Sequence, residues 1–550
     1  MINKVICKVL SNRLKKVLGS VISSNQTAFL GERNIIDGPL ILNEVMPWAR
    51  KKNKKMFAFK IDFEKAYDNV NWKFLISVME WMGFLSKWCK WIYGILESAR
   101  AVVLVNGSPT FEFQCHKGLK IHFGKSSLYG VGVDNSELVE MAKVVNCEAG
   151  RFPFTYLGVT IGANMNRLAN WRFLFDIFEA RLSRWKASSL SLAGRVTIIK
   201  SVMECIPTYF FSIFKAPAGV IEGLESIMRK FLWGSSEDGR KVHWVSWDKV
   251  ASPRNRGGLG ISKLKETNVA LLSKWVWRFK AKTNSLWRRV IAAIHDTKRG
   301  WSIVPYNKYI PGINGPDRWV WLGWDVGVLT VKGVKDFLRS NVDYGDSYVF
   351  KWCKWVPRKC NLFMWRALLY RIPTMKALSD WKCIHAGSTV LDCVFCGESM
   401  ETVDHRFCEC VVAAKVWHMV QGWCKTDPFF VFKLKDLMDI HERSRKSKEE
   451  KEALKGIILI GCWSIWKARN EIKFENASLN INNLLQGIRS IGCIHTLPSD
   501  PLSPDFTKEA DDMRALLLRG YEVIGALIVG AATYSNVNAC GRDAIDTSSR

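Results

Sequence analysis

Two small groups of side chains in this 550-residue sequence are of the kind that holds metal ions. The first centres on one carboxylate. Residues 56–62 read Met-Phe-Ala-Phe-Lys-Ile-Asp. Phe57, Phe59 and Ile61 alternate with other residues as in a buried strand, and Asp62 closes the run. A carboxylate brought to the end of a buried strand is costly unless something pairs with it. A divalent cation is one such partner. The other reading is an Asp that caps the following helix, the role assigned to Asp68. The second group is Cys393, Cys396 and His405, with a further thiol at Cys408 or Cys410. Counted to Cys410, the spacing is C-x2-C-x8-H-x4-C. Three thiolates and one imidazole close a tetrahedral zinc site and leave no position for water, so such a zinc is structural.

Composition says what these groups serve. The net charge is +29 and the pI near 9.5, which calls for a polyanionic partner, most simply a nucleic acid. A basic membrane-binding protein is the rival reading, but Ile457–Trp466 and Val523–Ala532 are too short to span a bilayer. The first 20 residues are broken by Lys4, Lys8, Arg13, Lys15 and Lys16, which interrupt the apolar run a secretory signal needs. Sixteen cysteines without such a signal are read as thiols or metal ligands rather than disulfides. Most of the 25 tryptophans are assigned to core, some to stacking on bases.

The elements that must position the two groups follow in chain order. Residues 1–18 form an amphipathic helix with Val5, Leu10, Leu14 and Leu18 on one side. Helices are expected over Trp72–Met82 and Ser86–Glu97, then a hairpin in 101–114 turning at Asn106-Gly107. Residues 161–290 read as helical, with apolar stripes such as Trp171, Leu174, Phe178 and Val220, Leu224, Met228. That span holds 23 Lys and Arg against 9 Asp and Glu, a local net of +14, and eight Trp. A one-sided charge of this size suits the neutralisation of a phosphate backbone. Residues 291–345 read as a linker or small subdomain, and the run Glu442–Lys451 as a solvated helix. Ser499–Pro504 and the last ten residues have the composition of poorly ordered chain.

The stretch Asp62-Phe-Glu-Lys-Ala-Tyr-Asp68 resembles the first catalytic motif of reverse transcriptases, most closely those of the non-LTR (LINE-type) retrotransposons of plants. The resemblance implies that Asp62 holds catalytic Mg2+, and that Tyr67 lies under the sugar of the incoming nucleotide and excludes the wrong one. Residues 24–37 resemble the fingers segment, which sets Arg33 near template and nucleotide. Residues 151–162 resemble the primer-grip strand, with Tyr156-Leu157-Gly158 as its core and Tyr156 and Gly158 as nucleic-acid-binding positions. Read without the resemblance, this is a buried strand with a glycine for close approach. The basic span 161–290 resembles the thumb that grips a primer–template duplex. Residues 352–369 and 404–410, with Trp417, resemble the zinc-binding region that follows the polymerase in these elements. That likeness selects Cys393, Cys396, His405 and Cys410 as zinc ligands, because Cys408 stands where an apolar residue is usual.

One part of the pattern is missing. His116-Lys-Gly-Leu119 begins a phrase that should run on into the second catalytic motif, yet the chain passes directly to Lys120–Ser127, which resembles text found after the third. An internal deletion at 118–120 accounts for this. It removes the loop that aligns template and primer and the Asp pair that completes the metal site. Residues 500–504 and 510–512 imitate the lost order, but Asp511 and Asp512 open a polar helix rather than a tight turn between apolar strands.

The expected architecture is α+β: an incomplete fingers/palm fold, a helical thumb, a small zinc-binding module and a helical C-terminal region. The expected divisions are 1–118 fingers and first half of the palm, 119–165 palm remnant with the primer-grip-like strand, 166–290 thumb and basic extension, 291–345 linker, 346–430 zinc-binding module and 431–550 helical region with its tail. The expected protein is reverse transcriptase-like but without polymerase activity. It carries structural Zn2+, has an incomplete Mg2+ site, and binds RNA or an RNA–DNA duplex in the nucleus or cytoplasm. The competing class is a non-catalytic, zinc-containing nucleic-acid-binding protein, or an inert remnant.

Overall fold

A computed structural model describes residues 2–23, 25–26, 30, 33–64, 70–97, 100–101, 104–105, 108–109, 113–114, 120–182, 190–234, 242–281, 285–295, 329–340, 342, 348–384 and 391–496. It is α+β, dominated by helices with small sheets. The chain divides into two compact units. One comprises Met1–Ile177, Ile206–Gly223 and Leu264–Val342; the other comprises Phe178–Cys205, Leu224–Lys263 and Asp343–Arg550.

In the first unit the strand Met56–Lys60 pairs antiparallel with Ser127–Val131, which pairs in parallel with Glu148–Gly150. The strand is where the alternation places it, but the buried face is the opposite one. Met56, Ala58 and Lys60 are half-buried, while Phe57 and Phe59 are each 41% exposed and Ile61 is 43% exposed. The cause lies in the register. Met56 sits across from Val131, on the face packed against Met46 and Ala49 of the helix Asp37–Lys51. Phe59 sits across from Leu128, and the helix Asn135–Val144 covers that face over Leu128. Met56–Lys60 is an edge strand of the sheet, so the aromatics of its other face stay half in solvent. Asp37 anchors its helix through both carboxylate oxygens, which accept from the two terminal nitrogens of Arg278.

Helices form at Trp72–Trp81 and Ser86–Glu97, the first capped by Asn71, whose side chain accepts the Phe74 N–H. Leu104–Val105 pairs with Ser108–Pro109 and Arg100–Ala101 with Phe113–Gln114, the pairing a hairpin through Asn106-Gly107 requires; the turn itself lies outside the described residues. Neither described strand pair of this hairpin is hydrogen-bonded to Met56–Lys60. Among the described strands the neighbour there is Ser127–Val131. The helix Ile2–Val21 forms, but of its expected stripe Leu10 is buried and Val5 exposed.

In the second unit the core gathers around the 28-residue helix Lys448–Glu475. The charged run Glu442–Lys451, expected as one solvated helix, is split. Leu434–Arg443 ends before it is complete, and Ser447 starts a new helix through a reciprocal capping box with Glu450. Trp355 lies flat against the long helix, so a Cβ at Gly456 would sit 1.8 Å from its ring. Gly456→Ala is therefore expected to lower the thermal midpoint. Overpacking costs about 1–3 kcal/mol and outweighs the gain of up to about 1 kcal/mol in helix propensity. An unchanged midpoint would show that Trp355 is free to move aside. Tryptophans elsewhere in this unit alternate with guanidiniums: Arg366 stacks near Trp233 and Trp244, Trp244 on Trp381, and Arg371 on Trp381.

Candidate metal centre

Residues 391–410 are built so that four ligand atoms meet. Cys393 to Cys396 make a tight knuckle, closed by Gly397 N–H donating to the Cys393 carbonyl at 2.8 Å and Cys393 N–H donating to Ser399 at 2.8 Å. His405 opens a wide helical turn, His405–Glu409, and Cys410 stands at the N-cap of the helix Val411–Cys424. Cys393 Sγ and Cys410 Sγ are 3.8 Å apart, Cys396 Sγ and His405 Nε2 3.4 Å, and all four ligand atoms lie within 4.8 Å of one another. Zinc bonds of about 2.3 Å to sulfur and 2.0 Å to nitrogen give tetrahedral edges of roughly 3.8 Å and 3.5 Å. The two measured pairs match that geometry.

The electrostatics suit thiolates. Cys393 Sγ and Cys410 Sγ share one hydrogen bond, and Arg406 with the backbone N–H groups of Cys396 and Phe395 adds to the effect on Cys393. Together these hold Cys393 well below the ordinary thiol range despite its burial. The shared proton raises Cys410, which the amides of Val412 and Ala413 at the helix N-terminus partly offset. A cation entering the cluster displaces that proton. Cys408 faces elsewhere: it is buried, outside the cluster, and pushed up first by burial and then by Asp404.

Beside the cluster sits a buried ionic group whose members carry no local pattern that pairs them. Glu401 is fully buried, accepts from Arg406 at 2.9 Å, and takes both Nε and Nη2 of Arg469 at 2.8 Å each. Arg406 also stacks 4.4 Å over the ring of Phe395, inside the knuckle. Burial pushes the Glu401 carboxyl up, but the two guanidiniums outweigh it and leave it below its usual value. Its contribution to stability is thus full at neutral pH and disappears as pH falls below the ordinary carboxylate range. Glu401→Gln leaves two buried cations without their anion and is expected to cost about 3–5 kcal/mol, read from the denaturant midpoint. A loss below about 1 kcal/mol would contradict that picture.

Asp62 is half-buried and held by its backbone: its N–H donates to Ser126 Oγ at 3.0 Å and its carbonyl accepts the His122 N–H at 2.8 Å. Among the described residues the one group of three or more metal-ligating side chains is the cysteine–histidine cluster, so Asp62 is not joined by two further ligands. Tyr67, Asp68, Asp511 and Asp512 lie outside the described residues. Arg33 donates to the carbonyls of Ser23, Gln26 and Ile22 at 2.5, 2.6 and 3.0 Å, clasping the chain just after the helix Ile2–Val21. Tyr156 ends a strand that pairs with Val159–Ile161 across a two-residue turn, Leu157-Gly158, with φ of +50° and +74°. That is the turn whose twist suits a hairpin. Tyr209 Oη donates to the Leu157 carbonyl at 2.6 Å.

A second feature passed unread in the sequence is the loop Ser252–Gly260. A Cβ on Gly258 would lie 2.1 Å from the Ser252 carbonyl oxygen, so the tight winding requires glycine. The loop's carbonyls are taken from outside: Trp365 Nε1 donates to Gly257 at 2.8 Å and Lys200 Nζ to Leu259 at 2.6 Å. Gly257-Gly258-Leu-Gly260 was the available signal.

Comparison with known proteins agrees with this division of chemistry. A family described as reverse transcriptase (RNA-dependent DNA polymerase) matches residues 1–124, and one described as zinc-binding in reverse transcriptase matches residues 330–417. A protein of Arabidopsis thaliana carrying a ribonuclease H name is 41% identical over 118 residues, 22% of this chain and 19% of that protein. A 149 kDa protein of transposon TX1 from Xenopus laevis is 21% identical over 333 residues, 47% of this chain and 25% of that protein. A mitochondrial protein of Arabidopsis thaliana is 36% identical over 87 residues, 16% of this chain and 56% of that protein. The chain thus spans between about a fifth and somewhat over half of the lengths of these relatives. No helix among the described residues is long and apolar enough to cross a membrane. With the polymerase match at one end and the zinc-binding match enclosing the cysteine–histidine cluster, the chain carries one region similar to reverse transcriptases and one similar to the zinc-binding region found in them.

Proposed function

We propose that this chain binds a primer–template duplex of RNA and DNA but adds no nucleotide to it, and that Cys393, Cys396, His405 and Cys410 hold a structural zinc. The observation that carries the first part is that Asp62 belongs to no group of three or more metal-ligating side chains among the described residues. Template-directed addition uses two magnesium ions about 3.5–4 Å apart between converging carboxylates. A half-buried Asp that belongs to no group of three or more ligating side chains among the described residues does not fit that pair of ions. Two facts support an internal deletion as the cause. The 333 positions aligned with the transposon TX1 protein cover 47% of these 550 residues, about 258, so some 75 of them have no counterpart here. The half-exposed stripe of Phe57, Phe59, Ile61 and Phe63 leading through Asp62 is the kind of sheet face another segment would cover.

In this reading residues 1–118 correspond to fingers and half a palm, 166–290 to the thumb, and 346–430 to the zinc-binding module. Binding rests on the Lys and Arg of 161–290, independent of any metal at Asp62. Affinity for a primer–template is expected to fall linearly on a log–log plot against salt, by about 0.9 per phosphate neutralised. A flat salt dependence, or no binding at low salt, would refute the binding role and leave an inert remnant.

A further inference from the structure

Within the second unit, three cations from distant parts of the sequence are gathered where the fold supplies little to neutralise them. Lys200 comes from the Leu192–Met203 helical segment, Arg254 from the glycine-wound loop, and Arg358 from the first residue of the helix Arg358–Leu368. A Cβ built on Gly260 would lie 3.4 Å from Arg254 Cγ and 3.6 Å from Lys200 Nζ, which puts those two side chains against the same point. Arg358 reaches the same helical segment, donating to Thr197 Oγ1 at 3.2 Å. Each neighbour makes itself felt: Lys200 is lowered to about 8 first by burial, then by Arg254, with Arg358 adding to it and Glu204 opposing. Glu204 is already engaged, its Oε1 accepting the Ser262 N–H at 2.9 Å.

The site is rigid and open. Arg254 is exposed, but its guanidinium lies 5.1 Å over the ring of Trp352 and its backbone sits on a turn held by Gly258. Arg358 is exposed too, and among the described residues neither it nor Arg254 has a carboxylate partner. The helix that Arg358 begins follows Pro357 and has no side-chain cap, so the positive end of its dipole is not offset by a capping side chain. The surrounding sequence is one-sided: residues 347–379 contain seven Lys and Arg and no Asp or Glu. Like charges held together without counterions are destabilising, and an arriving polyanion relieves that cost while releasing its own condensed cations.

We propose that Lys200, Arg254 and Arg358, with the N-terminus of the helix Arg358–Leu368, form a cradle for successive phosphates of a nucleic-acid backbone. The proposal rests on the nucleic-acid-binding reading above and adds a specific second-unit contact to it. Its recognition is of phosphate, with no base edge read, so it is indifferent to sequence.

The test uses the full zinc-loaded chain and a random-sequence RNA–DNA hybrid, with affinity measured from 50 to 300 mM salt. Arg254→Ala with Arg358→Ala is expected to flatten the log–log salt slope by about two and weaken binding on the order of tenfold per lost contact near 0.1 M salt. Arg254→Lys with Arg358→Lys is expected to keep the slope. Lys415→Ala with Lys448→Ala, two exposed cations elsewhere in the unit, removes the same charge and is expected to change the slope far less. Zinc content and thermal midpoint check that each variant is folded; should the alanine pair fail that check, Arg254→Gln alone carries the test, with an expected slope change of about one. Wild-type binding with equal slopes in the cradle and control variants overturns the cradle alone. A wild-type chain that binds no hybrid overturns the binding role with it. Equal loss of binding to anionic lipid vesicles would mark a general charge effect and also overturn the proposal.

Discussion

Chelation of zinc from the full chain is expected to unfold the segment around residues 391–424 and to expose its amides to exchange. Structural zinc sites of this donor type contribute an apparent 10–16 kcal/mol or so, more than the whole stability of a typical domain. Nothing else in the knuckle can replace that term. Cys393 and Cys410 are buried, and without the cation the two sulfurs cannot both be thiolates at that spacing. Purified protein should carry one zinc per chain. Cys410→Ala should lose it, and Cys408→Ala should keep it, because Cys408 lies outside the cluster and burial holds it as a thiol. Zinc retained by the first variant and lost from the second would reverse the ligand assignment.

Primer extension on a primed RNA template is expected to yield no product, and Asp62→Ala is expected to change nothing. In phosphoryl transfer the protein supplies almost entirely positioning and charge stabilisation, and metal ions deliver most of both. Asp62 contributes one carboxylate to a site that needs several. Its backbone is firmly placed by Ser126 and His122, so poor positioning of Asp62 itself is not the limitation. Extension that disappears in Asp62→Ala would show that another carboxylate completes the site, and the inactive reading would fall.

What could be read from the sequence was what depends on neighbours in the chain. The cysteine–histidine cluster spans 18 residues, so spacing alone brings its members together. The helices at Trp72–Trp81 and Ser86–Glu97 and the hairpin pairing around 106–107 follow from local patterns as well. The strand Met56–Lys60 was legible as a strand but not in its facing, because both of its faces carry apolar residues and only the tertiary partner decides between them. Arg33 was assigned by likeness to a role near nucleotide. Its position shows a guanidinium already engaged with three or more backbone carbonyls, a partner set no motif announces. Glu401 and Arg469 are 68 positions apart, and neither has a local signature that names the other.

That last pair has a bearing on how such a module travels. The match to the zinc-binding family ends at residue 417, yet Glu401 takes two of its hydrogen bonds from Arg469, 52 positions further on, and Asp404 accepts the Leu434 N–H at 2.8 Å. The portable unit is therefore longer than the legible one. A recombination breakpoint, a frameshift or a protease cut between 417 and 469 would leave every zinc ligand in place and still take from the buried Glu401 its bidentate partner, with Arg406 alone to hold it. Descendants of such an event would keep the cysteine and histidine signature and lose the stability of the fold that presents it.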